Sequence, residues 1–89
     1  MNVEQMIAEL QRAGLYEVCH KTSFTGYRKD KNGETQEVEV DILDAGLSIN
    51  PQYRYTCRAT TKDGKMATGN PMPSAEDAIS HAHWVNLDR

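Results

Sequence analysis

The stretch from Tyr53 to Leu87 constrains this chain most, because it specifies three elements in fixed order. Tyr53, Tyr55, Cys57 and Ala59 alternate with Arg54, Thr56, Arg58 and Thr60. A period of two marks a strand with one face buried. Thr61-Lys62-Asp63-Gly64-Lys65 follows, and Asp-Gly is a tight-turn pair. Lys65 to Thr68 therefore returns as a short strand, which Gly69-Asn70-Pro71 ends. A helix is predicted from Ser74 to Leu87. Ser74 supplies the N-cap, with Asp77 at the capping-box position and Pro73 holding Met72 extended. Glu76 and Asp77 suit the positive helix start. Ala75, Ala78, Ile79, Ala82 and Val85 share one face, thin enough to lie close against a sheet. Trp84 falls off that stripe, nearer Asp77, Ser80 and His81. It must meet another layer, a partner or solvent.

The remaining chain fits around this unit. Asn2 caps a first helix with Gln5 at the capping-box position. Val3, Met6, Ile7, Leu10 and Ala13 form its stripe, and Gly14 closes it. Leu15 to Ser23 reads as a strand, which Phe24-Thr25-Gly26-Tyr27 continues or bends at Gly26. Arg28 to Gly33 is a polar hairpin tip with Asn32-Gly33 as its turn. Glu34 to Leu43 is the next strand. Val38, Val40 and Ile42 face inward, while Glu37, Glu39 and Asp41 face outward, across from Arg54 and Arg58. Asp44 to Pro51 is a connection, with Leu47 and Ile49 tucked against the domain edge. The expected core is Met6, Ile7, Leu10, Val38, Val40, Ile42, Tyr53, Tyr55, Cys57, Ala78, Ile79 and Ala82. The pattern implies a single small α+β domain over residues 1–89. An antiparallel sheet of three to four strands is packed on one face by the N- and C-terminal helices.

Composition narrows the function classes. At 89 residues and a net charge of −3, the chain leans against general nucleic-acid binding, which relies on positive potential. No apolar stretch approaches a membrane span and no signal-peptide core follows Met1, so a cytoplasmic, non-membrane protein is expected. Cys19 and Cys57 lie in predicted strands and read as buried free thiols. His81 and His83 diverge by about 200° around a helix and cannot share a metal. His81 reads as a partly buried packing residue. No Ser-His-Asp or Cys-His arrangement can be specified, and Gly64 and Gly69 belong to turns. The sequence thus implies no catalytic residues, no cofactor and no metal.

The string Tyr53 to Ala59, then Asp63-Gly64-Lys65, Gly69-Asn70-Pro71 and Ala75-Glu76-Asp77-Ala78, resembles the second half of double-stranded RNA-binding domains. The likeness covers roughly the last 35 residues plus a matching first helix. It implies a helix, strands, helix order. In that family a lysine cluster opens the last helix and grips phosphates. Here those positions hold Ser74, Glu76 and Asp77.

The resulting expectation is a non-enzymatic accessory or regulatory protein, of a size that fits a phage or bacterial chain, acting through protein–protein binding. Trp84, His81 and Leu87 form one candidate surface, and Arg54, Arg58, Glu37 and Glu39 the other. A homo-oligomer is compatible with either. The alternative is duplex RNA bound by Lys62, Lys65, Arg54 and Arg58 with the Arg28-Lys29 hairpin tip.

Overall fold

The computed structural model describes residues 1–47 and 49–88. It has the expected α+β class. The first helix, α1, spans Val3–Arg12. Asn2 and Gln5 close a reciprocal capping box, the Gln5 amide donating to the Asn2 side chain at 2.8 Å and the Asn2 amide to the Gln5 side chain at 2.9 Å. At the other end Gly14 takes a left-handed φ of 104°, its amide donating to Gln11 O and that of Leu15 to Leu10 O. Those are the two hydrogen bonds of a Schellman ending.

The four strands are β1 His20–Lys29, β2 Thr35–Asp44, β3 Tyr55–Thr61 and β4 Met66–Thr68, hydrogen-bonded in sequence order as an antiparallel meander. β1 starts later than the alternation of Leu15 to Ser23 suggests. Glu17 sits at a left-handed φ of 54°, so the chain is turning there, and pairing begins at His20 opposite Asp44. The hairpin tip is correspondingly shorter. Asp30 accepts from the amides of Asn32 and Glu34, and Arg28 and Lys29 belong to the strand.

Register sorts the side chains onto two faces. Val38, Val40 and Ile42 lie opposite Gly26, Phe24 and Thr22 on one side and Thr61, Ala59 and Cys57 on the other. Those residues form the inner face. The second helix, α2, is Ala75–Ser80 and packs on β3 and β2, burying Ala78 and, just past its end, Ala82 against Ile42 and Cys57. Ser74 caps it by accepting the Asp77 amide at 3.0 Å.

This helix is less than half the predicted length. After Ser80 the chain leaves the helical path, and Trp84–Asp88 forms a short 3-10 helix. Three contacts explain the break. The His83 amide donates across to Thr68 O of β4 at 3.2 Å. The Trp84 indole N–H donates back to Ile79 O at 2.8 Å, satisfying a carbonyl near the helix end. Gly69 lets the His81 carbonyl come so close that a Cβ there would lie 2.5 Å from its oxygen. The tail is thereby drawn inward, and Leu87 is 0% exposed in a cluster with Val38, Ala59 and Ala67.

Several core expectations are corrected by this geometry. Met6, Leu10, Tyr53 and Ile79 are exposed, as are Leu47 and Ile49. α1 meets the rest of the molecule at the end of the sheet, where Ile7 is buried beside Gly46 and Glu4 accepts the Leu47 amide at 3.1 Å. The outer part of its stripe is left in solvent. Tyr53 sits in a 3-10 turn, Pro51–Tyr53, ahead of the strand. Cys57 is a buried free thiol, its pKa pushed up by burial, but Cys19 precedes β1 and is exposed. Among the described residues no helix is long and apolar enough to cross a membrane.

Candidate protein-interaction surface

β1 is an edge strand, and the inner face beside it is only partly roofed. Its inner row is His20, Thr22, Phe24, Gly26 and Arg28, set by the register with β2. α2 packs on β3 and β2 and leaves Phe24 56% exposed. Between Phe24 and Ile79 runs an open groove of about 270 Å³, floored by Ile42 and Tyr55, with His20 and Asp44 in its lining. A second hollow of about 240 Å³ adjoins Gly26, where the missing side chain leaves room between β1 and Trp84. Tyr27 points to the other face of the same strand and is 71% exposed. An edge strand bearing two exposed aromatic rings has open backbone groups and apolar area in one place.

The first surface expected from the sequence does not assemble. Leu87 is inside the core. His81 is exposed, not packed, and its ring nitrogen lies 2.9 Å from Asp77 O. Trp84 does not point away from the sheet. It is half-buried against both core clusters, because the helix break turns it inward.

The second surface assembles in part. On the outer face Lys62 pairs with Glu37 at 2.7 Å and Arg58 with Asp41 at 3.3 Å. Glu39 accepts from the Thr25 hydroxyl at 2.9 Å, and Asp41 from Ser23 at 2.6 Å. The Ser23 bond, then Arg58, hold the Asp41 carboxyl below its usual range. Arg54 lies elsewhere. At the sheet end it grips Asp44 with two bonds of 2.7 and 3.0 Å, approaches Glu4 at 3.7 Å and lies 5.0 Å from the Tyr55 ring centre.

The residues expected to touch nucleic acid are scattered. Arg28 faces inward and grips Asp88 at 2.8 and 3.2 Å. Lys29 donates to the Thr35 hydroxyl on the outer row at 2.8 Å. Lys65 approaches Asp63 at 3.5 Å in the β3–β4 turn. Among the described residues no group of three or more His, Cys, Asp or Glu is placed to hold a metal ion.

The chain matches no known protein family, no curated protein and no solved structure.

The Arg54–Asp44 contact makes stability pH-dependent. Arg54 hydrogen bonds, with the Gly46 amide, hold the Asp44 carboxyl below its ordinary value against the opposing effect of burial. A folded pKa below the unfolded one contributes stability above about pH 4 that is lost as pH falls through the lowered value. Arg54→Met should therefore be less stable than wild type near neutral pH. In urea unfolding the gap should narrow steadily below about pH 4. A gap that is constant with pH would show that the contact is not electrostatic.

Sequence reasoning missed Phe24, Tyr27 and Ile79 as surface residues. Their residue types were visible. What was not visible was which strand would form the sheet edge.

Proposed function

We propose that this chain is a non-catalytic accessory or regulatory protein that works by binding another protein, and that β1 with its adjoining groove is where it binds. A cytoplasmic site of action belongs to the same reading. The observation that carries it is the exposed Phe24 ring on the inner row of an edge strand, facing Ile79 across an open groove. Aromatic side chains in a groove are typical contact anchors, and open strand edges accept extended segments. Duplex RNA is less well supported. Arg54, Arg58, Lys62, Lys65 and Arg28 each already face a carboxylate. A phosphate would have to compete for them.

The test compares tagged wild type with the Phe24→Lys, Ile79→Lys double variant in pull-downs from the native host. Both residues are exposed, so the variant should fold within about 0.5 kcal/mol per site of wild type. A host protein retained by wild type and lost by the variant is the expected result. Retention of that protein by both forms, or recovery of nucleic acid and no protein, would overturn the reading.

A further inference from the structure

The geometry points to a specific occupant for the open edge of β1: an extended segment of a partner protein in which apolar and acidic residues alternate. This inference rests on the reading of β1 as a protein-binding surface and names the chemistry of what it binds.

The backbone argument comes first. All ten residues of β1, His20 to Lys29, pair with β2 on one side. Within the described chain no strand pairs on the other side, so about 33 Å of edge is available to a further strand. The opposite edge is different. β4 has three residues, and the Thr68 carbonyl is taken by the His83 amide.

Charge on the outer face supplies the specificity. β3 presents Arg58, with Lys62 just beyond its end. β2 presents Glu37, Glu39 and Asp41. β1 presents Lys21 and Lys29. Lys62–Glu37 and Arg58–Asp41 interlock β3 with β2, whereas the β2 carboxylates face Tyr27, Thr25 and Ser23 of β1, whose lysines stand at the two ends of its outer row. Neither Lys21 nor Lys29 forms an ion pair among the described residues. A strand added beside β1 therefore meets a positive charge at each end of the edge, which acidic residues in it would match, since opposite charges on neighbouring strands attract and like charges repel.

The inner face asks for apolar residues at the alternate positions, where they would cover Phe24 and fill the hollow above Gly26 beside Trp84. β2 shows that β1 accepts such a strand. Its run Glu37-Val38-Glu39-Val40-Asp41-Ile42 alternates in this way, and it is the segment that β1 already pairs with. A strand presents the same side-chain rows to both its neighbours. Another β1 is a poorer occupant, because it would bring the end lysines of two strands together.

The experiment uses the full chain and two synthetic peptides. One, as long as β1, alternates glutamate with valine so that a carboxylate falls opposite both Lys21 and Lys29; the other carries lysine in place of each glutamate. Binding is read by fluorescence anisotropy and by slowed amide exchange in His20 to Lys29. Wild type should prefer the acidic peptide by about tenfold, and the Lys21→Glu, Lys29→Glu variant should reverse that preference. Equal binding of both peptides, or a preference that charge reversal leaves unchanged, overturns the acidic-strand inference. So does sedimentation showing a dimer of the chain with protected β1 amides, which would make the occupant a second copy. If neither peptide binds while the host protein is still lost on Phe24→Lys, Ile79→Lys, the inference fails and the broader reading stands. If neither peptide binds and that double variant keeps the host protein, both fail.

Discussion

Leu87→Ala is expected to cost about 2–5 kcal/mol, seen as a lower urea midpoint. Leu87 is 0% exposed, and its cluster partners are Val38, Ala59 and Ala67. Two of those are alanine, so Leu87 supplies much of the volume that fills the space between the tail and the sheet. Alanines have no side-chain length with which to close a cavity. The Leu87 carbonyl is also accepted into the fold, taking a bond from the Gln36 side chain at 3.4 Å, and its neighbour Asp88 is tied to Arg28. A loss of this size is a large share of the roughly 5–15 kcal/mol that holds a domain folded. Leu87→Met, which conserves volume, should cost less than about 1.5 kcal/mol. Equal stability of the alanine variant and wild type would show that the tail does not enter the core.

Gly69→Ala should cost about 1–3 kcal/mol or more, by overpacking. The new Cβ would lie 2.5 Å from the His81 carbonyl oxygen, 3.1 Å from its carbon and 3.3 Å from Ala82 Cα. All three are backbone atoms, so no side chain can swing away to make room. Relief requires α2 and the tail to move off β4, which would also lengthen the His83–Thr68 bond. The melting temperature should fall by about 4–8 °C per kcal/mol in a chain of this size. The His83 amide should exchange faster. Gly64→Ala is the control. Gly64 has a left-handed φ of 88° but open space around it, so its cost of about 1–2 kcal/mol comes from backbone strain alone. His83 exchange unchanged in Gly69→Ala would contradict the close packing proposed for this junction.

The parts of this fold that were legible in the sequence are those fixed by local patterns. The alternations in β2 and β3, the Asn32-Gly33 and Asp63-Gly64 turns, the Asn2 and Ser74 caps and the Gly14 stop all depend on neighbours within a few residues. The misreadings came from contacts across the chain. Nothing local in Ser80-His81-Ala82-His83 forbids helix; the helix ends because Thr68 and Gly69 draw the backbone towards β4. That long-range event moved Leu87 from surface to core and turned Trp84 inward. The stripe on α1 was correctly apolar, yet Ile7 is its one buried member, since the short connection delivers the helix to the sheet end. The candidate surface was the least legible feature. Phe24 looks like any buried strand residue until the sheet order places β1 at an edge.

The asymmetry between the two sheet edges has a consequence for assembly. A sheet with two open edges can recruit strands without limit, and the outcome is a fibre. Here the β4 side is short and partly taken up by the protein's own tail, leaving growth available in one direction only. A strand added beside β1 would carry its own protein with it, and nothing at β4 would repeat the event. Assembly through this sheet would therefore terminate after one step, giving a defined stoichiometric complex in place of an open polymer.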